Sequence, residues 1–192
     1  MSRSASFRVA LIHLHRVKDA GYRDAWKKRG EVLGVIANIA RKVDRLENVV
    51  CSGADPAGES LLETAVDLLV YALKYQTFLA DQDTDGSEVR MPISLLPPYS
   101  DGTAAVEHLI GTLDLSILDG ENELEPAVVC RKVQDEFVSL VECFDGLAGR
   151  RPIAMRWALA QTLVLDSVRL VASLAQENPT ALDKFIEEWK AN

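Results

Sequence analysis

Acidic side chains at helical spacing mark the segment that begins at Glu59. Glu59, Glu63 and Asp67 lie four residues apart, and Tyr71 and Lys74 continue the same line. Asp67 stands among alanine, valine and leucine residues, where a carboxylate is costly to bury unless it is paired or bound to a cation. Carboxylates one helical turn apart also repel each other. The spacing therefore predicts a positive partner along this stripe.

A second polar stripe begins at Glu31. In a helix from Glu31 to Asn48, Asn38 lies about 20° from Glu31 around the helix axis, and Lys42 and Arg45 lie within about 40° of it. One carboxylate, one amide and two cations thus share a narrow strip. This strip lies beside the aliphatic face of the helix and not opposite it.

The two stripes belong to consecutive helices joined by a short loop, which favours antiparallel packing. In that arrangement Glu31, Glu63 and Asp67 are candidate ligands for one Mg²⁺ or Mn²⁺ ion, because such ions prefer hard oxygen ligands. Lys42 and Arg45 would then bind phosphate oxygens. This set fits metal-assisted hydrolysis of a phosphoanhydride. The alternative is an ion pair between Asp67 and Lys42 or Arg45 with no ligand.

The metal hypothesis gives further residues a role. Glu59 would orient the attacking water, and Glu63 would act both in catalysis and as a metal ligand. Asn38 would be a polar contact to the substrate. Trp26 lies close to the basic strip and is a candidate for stacking on a nucleobase.

Helical periodicity runs through most of the chain, and no segment alternates convincingly as a strand does. We therefore predict an all-α protein, a helical bundle. The predicted helices cover 5–18 (ended by Gly21), 31–48, 59–80, 103–117, 126–147, 153–176 and 179–189, with Asn178 as the N-cap of the last.

The chain divides into three predicted parts: a helical hairpin module at 1–80, an acidic, proline-rich loop or linker at 81–100, and a C-terminal helical module at 101–192 that packs on the first. The second module has features of a degenerate copy of the hairpin, because Arg131-Lys132 and Asp166 resemble Arg41-Lys42 and Asp67. Chance similarity between two helical hairpins is the alternative, with Asp166 simply paired to Arg169.

Charge and composition exclude several classes of protein. The 192 residues have a formal net charge of −8 and 48% hydrophobic residues, which is typical of a globular chain. Basic residues concentrate in the first 50 positions, which suits a small anionic ligand better than direct nucleic-acid binding. No apolar run reaches a membrane span, and the N-terminus lacks the pattern of a secretory signal. With three cysteines at no metal-ligand spacing, we expect reduced thiols and a cytoplasmic location.

Three short patterns resemble a known family. They are Tyr-x-x-x-Trp at 22–26, Arg-Lys-x-x-Arg-Leu at 41–46, and acid-x-x-x-Asp-Leu-x-x-Tyr at 63–71. In this order they resemble the nucleotide modification associated domain 1 family, which is similar to the MazG-like all-α NTP pyrophosphohydrolases. The resemblance covers roughly residues 16–80.

The resemblance implies a MazG-like fold, Mg²⁺-dependent release of pyrophosphate from a nucleoside triphosphate, and assembly into a homo-oligomer. The sequence departs from the usual pattern of acids, since Gly34 and Thr64 stand where those enzymes have further carboxylates. Two functions therefore stay open: a nucleotide pyrophosphohydrolase or nucleotide-binding protein, and a non-catalytic helical interaction protein in a phage, nucleotide-modification or defence context.

Overall fold

The computed structural model describes residues 1–52, 60–84, 86–92, 94–120, 124–144 and 150–190, without the side chains of 51 and 52. This part of the chain contains helices and no strands, which confirms the all-α prediction. Its α-helices are α1 (Arg3–Tyr22), α2 (Ala37–Ser52), α3 (Leu61–Gln82), α4 (Ala104–Thr112), α5 (Pro126–Glu142), α6 (Ile153–Glu177) and α7 (Pro179–Glu188).

Local sequence explains several helix ends. Ser2 and Ser60 are N-caps whose side chains accept hydrogen bonds from the backbone N–H groups of Ala5 and Glu63, at 3.2 and 3.4 Å. Asn178 caps α7 in the same way, and Pro179 occupies the first turn, as predicted.

The end of α1 differs from the prediction. Gly21 was expected to break the helix, but α1 continues through Gly21 to Tyr22. The chain turns at Arg23, whose φ of 44° is in the left-handed region, and a short 3₁₀ turn at Arg23–Trp26 follows. One glycine in a helix costs only about 1 kcal/mol, which packing of the rest of α1 offsets.

The predicted helix at 31–48 is present in two parts. Glu31–Ile36 forms a π-helical turn, and α2 continues from it. The predicted helix at 103–117 is also shorter, because α4 ends at Thr112 and only a 3₁₀ turn at Ser116–Leu118 follows.

One hydrophobic core joins the two halves of the sequence. Buried leucines, valines and alanines of α3 and α6 lie at its centre, and α2, α5, α1 and α7 pack around them. The predicted antiparallel hairpin of α2 and α3 is observed, since Lys42 meets Asp67 while the earlier Glu31 meets the later Tyr75. The core therefore fixes the relative positions of both polar stripes.

The segment after α3 is tied to the bundle by hydrogen bonds. The Asp81 carboxylate accepts hydrogen bonds from the backbone N–H groups of Tyr99 and Ser100, at 2.6 and 2.9 Å. The Lys27 ammonium donates to the Ser100 hydroxyl at 2.8 Å. These contacts hold residues 99–100 against the turn that contains Trp26.

The expectation that no apolar run reaches a membrane span is wrong for α6, which is long and apolar enough, by length and composition alone, to cross a membrane. About 67% of its most apolar window is buried inside the bundle, and core helices of soluble proteins share this property. Its place at the centre of the core accounts for its hydropathy.

Candidate functional site

A cavity of about 470 Å³ opens between α1, the turn at Arg23–Trp26, α2 and α3. We call it the cationic pocket. Its volume lies within the range of ligand sites for small molecules. Four cations line it and one carboxylate does: Lys18, Arg41, Lys42, Lys74 and Asp67.

Charge in the cationic pocket is opposite in sign to that of the whole chain. The four cations and one carboxylate of its lining give an excess of three positive charges, whereas the chain has a formal net charge of −8. The pocket lining also contains His15, which is neutral at physiological pH. Burial, and after it the positive charge of Lys74, lowers the pKa of His15 from 6.5 to about 4. The pocket is therefore an attractive place for an anion.

Asp67 links three helices through two lysines. Lys42 of α2 donates a hydrogen bond to one carboxylate oxygen at 2.8 Å, and Lys18 of α1 contacts the other. The Asp67 side chain is 19% exposed, and those of Lys42 and Lys18 are more exposed still. The alternative of an ion pair between Asp67 and Lys42 is confirmed, with Lys18 as a second partner that the sequence interpretation did not include.

Aromatic side chains form the rest of the polar–apolar boundary of the pocket. Trp26 is buried and packs edge-on against Phe78, with ring centroids 6.5 Å apart. The Lys74 ammonium lies 5.1 Å from the Trp26 ring centroid, within cation–π range, and 3.1 Å from the Asp19 carboxylate. Tyr22 and Tyr71 also line the cavity.

Burial shifts the pKa values of two side chains that line the pocket, Lys74 and Tyr71. Burial is the largest cause that lowers the pKa of Lys74, against a smaller opposite effect of its hydrogen bond to Asp19. Burial likewise raises the pKa of Tyr71, and the negative charge of Asp67 adds to this shift. Both shifts reflect partial exclusion of water from the inner part of the pocket.

Glu31 belongs to a different cluster. Its carboxylate contacts the Arg156 guanidinium of α6, accepts a hydrogen bond from the Tyr75 hydroxyl at 2.6 Å, and lies 3.1 Å from the Arg150 guanidinium. We call these four residues the arginine cluster. The side chains of Glu31 and Arg156 are only 1% and 3% exposed.

The arginine cluster perturbs its own tyrosine. Burial is the largest cause that raises the pKa of Tyr75, and the charge and hydrogen bond of Glu31 act in the same direction. Tyr75 thus stays protonated and donates to Glu31.

The predicted metal site is not assembled. Glu31 is bound to arginines, Asp67 is bound to lysines, and Glu63 is exposed in the first turn of α3. In the described ranges no three His, Cys, Asp or Glu side chains form a group that could hold a metal ion. Glu59 lies outside the described residues. The placement of these three acids corrects the expectation that they converge, so they do not fit Mg²⁺ or Mn²⁺ as a shared ion.

The predicted substrate-binding residues fare differently. Trp26, Asn38 and Lys42 all line the cationic pocket, and so do Tyr71 and Lys74 of the α3 stripe. Asn38 donates to the Gly34 carbonyl at 2.9 Å and accepts from Arg41. Arg45 is half-buried on α2 but is not part of the pocket lining.

Sequence reasoning missed the contribution of α1. His15, Lys18 and Tyr22 of this helix line the pocket. Their spacing of three and four residues places them on one face of a helix, so the signal was present. The apolar residues of α1 define its buried face by themselves, so the sequence does not indicate that these three side chains share a cavity.

Gly34 has a structural role that explains one departure from the family pattern. A Cβ atom at this position would lie 3.0 Å from the backbone carbonyl oxygen of Trp26. The absence of a side chain therefore allows the π-helical turn to approach the turn that seats Trp26. A glutamate here would separate the two turns.

The second half of the chain has its own paired acid. Arg169 donates to Asp166 at 2.6 Å within α6, as predicted for these two residues. Glu136 of α5 lies close to this pair. Burial, and after it the adjacent Asp166, raises the pKa of Glu136 to about 8. Asp67 is held by lysines of two other helices, whereas Asp166 pairs with an arginine of its own helix and lies beside the carboxyl group of Glu136, so the two acids have different surroundings. The suggestion of a degenerate copy stays a prediction.

Comparison with known proteins adds no family assignment. No protein-family model matches the chain, and no curated protein or solved structure resembles it significantly. The resemblance to the nucleotide modification associated domain 1 family thus stays a prediction from residues 16–80. The functional argument rests on the geometry of the cationic pocket.

Proposed function

We propose that this protein binds a nucleoside triphosphate in the cationic pocket. The observation that supports the proposal is the excess of four cations over one carboxylate within a single cavity of an acidic protein. Phosphate oxygens accept hydrogen bonds from lysine and arginine, and charge-assisted bonds of this kind are the strong ones.

The chemistry of the pocket also suits the rest of a nucleotide. Tyr22 and Tyr71 provide aromatic surface in the same cavity as the cations, whereas Trp26 lines the cavity but is only 5% exposed. A base has a π-face that stacks on such side chains, each contact contributing about 1–3 kcal/mol. A ligand with both phosphate groups and an aromatic ring therefore contacts the cations and the aromatic side chains of the lining.

Binding is favoured over hydrolysis by the state of the acids. Asp67 neutralises Lys18 and Lys42 and is not free for a cation. The site as described supplies positive charge directly, so the affinity for a triphosphate should not depend on Mg²⁺. We extend the proposal to a cytoplasmic protein that does not bind nucleic acid or a membrane.

Calorimetric titration with ATP, GTP, CTP, UTP and inorganic tripolyphosphate tests the proposal, each with and without Mg²⁺. We expect binding that weakens with salt and a loss of about tenfold in affinity for Lys42→Ala, which is a change of about 1.4 kcal/mol. Lys132→Ala is the matched control, because Lys132 is exposed on α5, away from the pocket lining.

The outcomes separate the open functions. Release of pyrophosphate that requires Mg²⁺ and is lost in Asp67→Ala would restore the hydrolase hypothesis. No binding of any triphosphate would contradict the proposal and favour the alternative of a helical interaction protein. Equal losses in Lys42→Ala and Lys132→Ala would indicate non-specific attraction.

A further inference from the structure

His15 is a buried imidazole in the wall of the cationic pocket. It lies on α1, three residues before Lys18 and seven before Tyr22, on the same face of the helix. Its relative exposure is 0%, and neither Nδ1 nor Nε2 has a hydrogen-bond partner in the part of the chain that the structure describes. Both polar atoms of one side chain are thus unsatisfied beside a cavity.

Such an arrangement is unusual in a folded protein. Most buried polar side-chain atoms have a hydrogen-bond partner, and an unsatisfied one destabilises the fold. The charged neighbours of His15 are engaged with other groups, since Asp19 binds Lys74 at 3.1 Å and Glu107 binds Arg16 at 2.8 Å. A partner for the imidazole must come from the cavity.

The protonation state of His15 determines what kind of partner fits. Its pKa of about 4 leaves the ring neutral at physiological pH, so one nitrogen donates a hydrogen bond and the other accepts one. A phosphate offers only acceptors to such a ring and would use the lysines better. The edge of a nucleobase offers both donors and acceptors, so one ring nitrogen of His15 can pair with it in either role.

We propose that His15 recognises the base of the bound nucleotide through a hydrogen bond from or to one of its ring nitrogens, while Lys18 and Lys42 bind its phosphates. This inference rests on the proposed function and adds to it the group that sets base preference. A base in the inner pocket is favoured because its hydrogen bond satisfies a buried polar atom of His15.

Access to His15 requires a side-chain movement. The imidazole lines the cavity but is shielded from solvent in the unliganded chain. Lys18, one turn away on α1, has a side chain that is 38% exposed, so a change of its rotamer can open a path to the imidazole. Changes of side-chain rotamer on binding are common even where the backbone stays in place.

The test compares the nucleotide that binds best with inorganic tripolyphosphate, which lacks the base. We expect the wild-type protein to bind one of ATP, GTP, CTP and UTP at least tenfold more tightly than tripolyphosphate. His15→Phe keeps an aromatic ring but has no polar atoms, and should lower the affinity for that nucleotide about tenfold. The affinity for tripolyphosphate should change less than twofold.

His15→Gln is the conservative variant, because its amide both donates and accepts. It should keep more of the base preference than His15→Phe does. Ring-nitrogen NMR signals of the unchanged protein provide a measurement that needs no variant: the best nucleotide should shift the His15 signals and tripolyphosphate should shift them little. His13 and His108, which are not part of the pocket lining, are the internal references.

The two proposals fail in different ways. If His15→Phe leaves nucleotide affinity unchanged while Lys42→Ala lowers it, the pocket binds nucleotides and the role of His15 is overturned. Equal losses for the nucleotide and for tripolyphosphate would also overturn it, since they would show a structural effect on the whole pocket. Absence of any triphosphate binding would overturn the proposed function itself.

Discussion

Asp67 and Glu31 are both acids of the α2–α3 hairpin, yet their surroundings differ. Glu31 is sealed against Arg156, with side chains 1% and 3% exposed, and the oxygen that contacts Arg156 also accepts a hydrogen bond from the Tyr75 hydroxyl. Its other oxygen has the Arg150 guanidinium at 3.1 Å as its charged neighbour. Asp67 is 19% exposed, and it contacts Lys18 and Lys42 in the wall of an open cavity. The arginine cluster is closed and the cationic pocket is open.

The difference shows how burial assigns roles to similar charges. Removing an ion pair from water is costly, so a closed pair is retained only with close contacts and full hydrogen bonding. It then holds α3 and α6 in one register and leaves no surface for a ligand. In the cationic pocket solvent reaches the charges. Lys18 and Lys42 share the single negative charge of Asp67, so net positive charge remains for an anion.

The largest expected effect is on stability, from breaking the arginine cluster. Arg156→Met leaves Glu31 buried without its main partner, and we expect a loss of about 3–5 kcal/mol in the free energy of unfolding. The double variant Glu31→Gln/Arg156→Met removes both charges and should recover much of this loss. Urea unfolding followed by circular dichroism measures all three proteins.

Arg3→Ala is the control for that prediction, because Arg3 and Asp183 form an ion pair whose side chains are about half exposed. Such pairs contribute about 0–1 kcal/mol. If Arg156→Met were no more destabilising than Arg3→Ala, the arginine cluster would not be the sealed element of the comparison.

The next effect concerns acid stability and His15. The pKa of His15 is about 4 in the folded chain and 6.5 as a model value, so the unfolded chain binds more protons between these limits. Stability is therefore lost as pH falls from 6.5 to 4, by up to about 3 kcal/mol from this group. His15→Phe should flatten that part of the stability curve. A curve that keeps its slope would show that other groups cause the acid loss.

Asp67→Asn and Glu31→Gln compare the two acids directly. Asp67→Asn frees Lys18 and Lys42 from their competing carboxylate, so the affinity for tripolyphosphate should rise about tenfold, or about 1.4 kcal/mol. Its cost in stability should stay below about 1 kcal/mol, since the pair is in contact with solvent. Glu31→Gln should destabilise the fold and leave affinity within twofold. The reverse pattern would show that Asp67 supports binding, as a metal ligand does.

How much the sequence predicts depends on the range of the interaction. Periodicity located the helices well, because a one-sided apolar face is a local property. It also placed Asn38 and Lys42 on one strip. It could not identify Arg156 as the partner of Glu31, because 125 residues separate them in the sequence.

The convergence expected of Glu31, Glu63 and Asp67 could not be judged from the sequence for the same reason. Two acids on facing helices indicate a positive partner, but the kind of partner depends on elements elsewhere in the chain. Lys18 lies on α1 and Arg156 lies on α6. These cations neutralise Asp67 and Glu31, respectively, without a metal ion. Gly34 is the opposite case, because the close approach that requires a glycine there is to Trp26, only eight residues away in the sequence.

A third acid arrangement reverses the charge ratio of the arginine cluster. Glu136 and Asp166 are two neighbouring carboxyls, of which Asp166 pairs with Arg169, whereas Glu31 alone faces two arginines. Burial and the adjacent Asp166 raise the pKa of Glu136 from 4.5 to about 8. The folded chain therefore binds more protons than the unfolded chain between these values, and stability falls as pH rises through this window.

Glu136→Gln should remove that fall and raise the stability at pH 8.5 by about 1 kcal/mol, a small value because the partly exposed site is screened by solvent. Asp135→Asn, at the neighbouring exposed position of α5, is the matched control and should leave the slope unchanged. Thermal unfolding at pH 5, 7 and 8.5 measures both variants. If Glu136→Gln destabilised the chain at every pH, Glu136 would be a charged partner of Arg169, as Glu31 is of Arg156, and the contrast between the clusters would be one of burial alone.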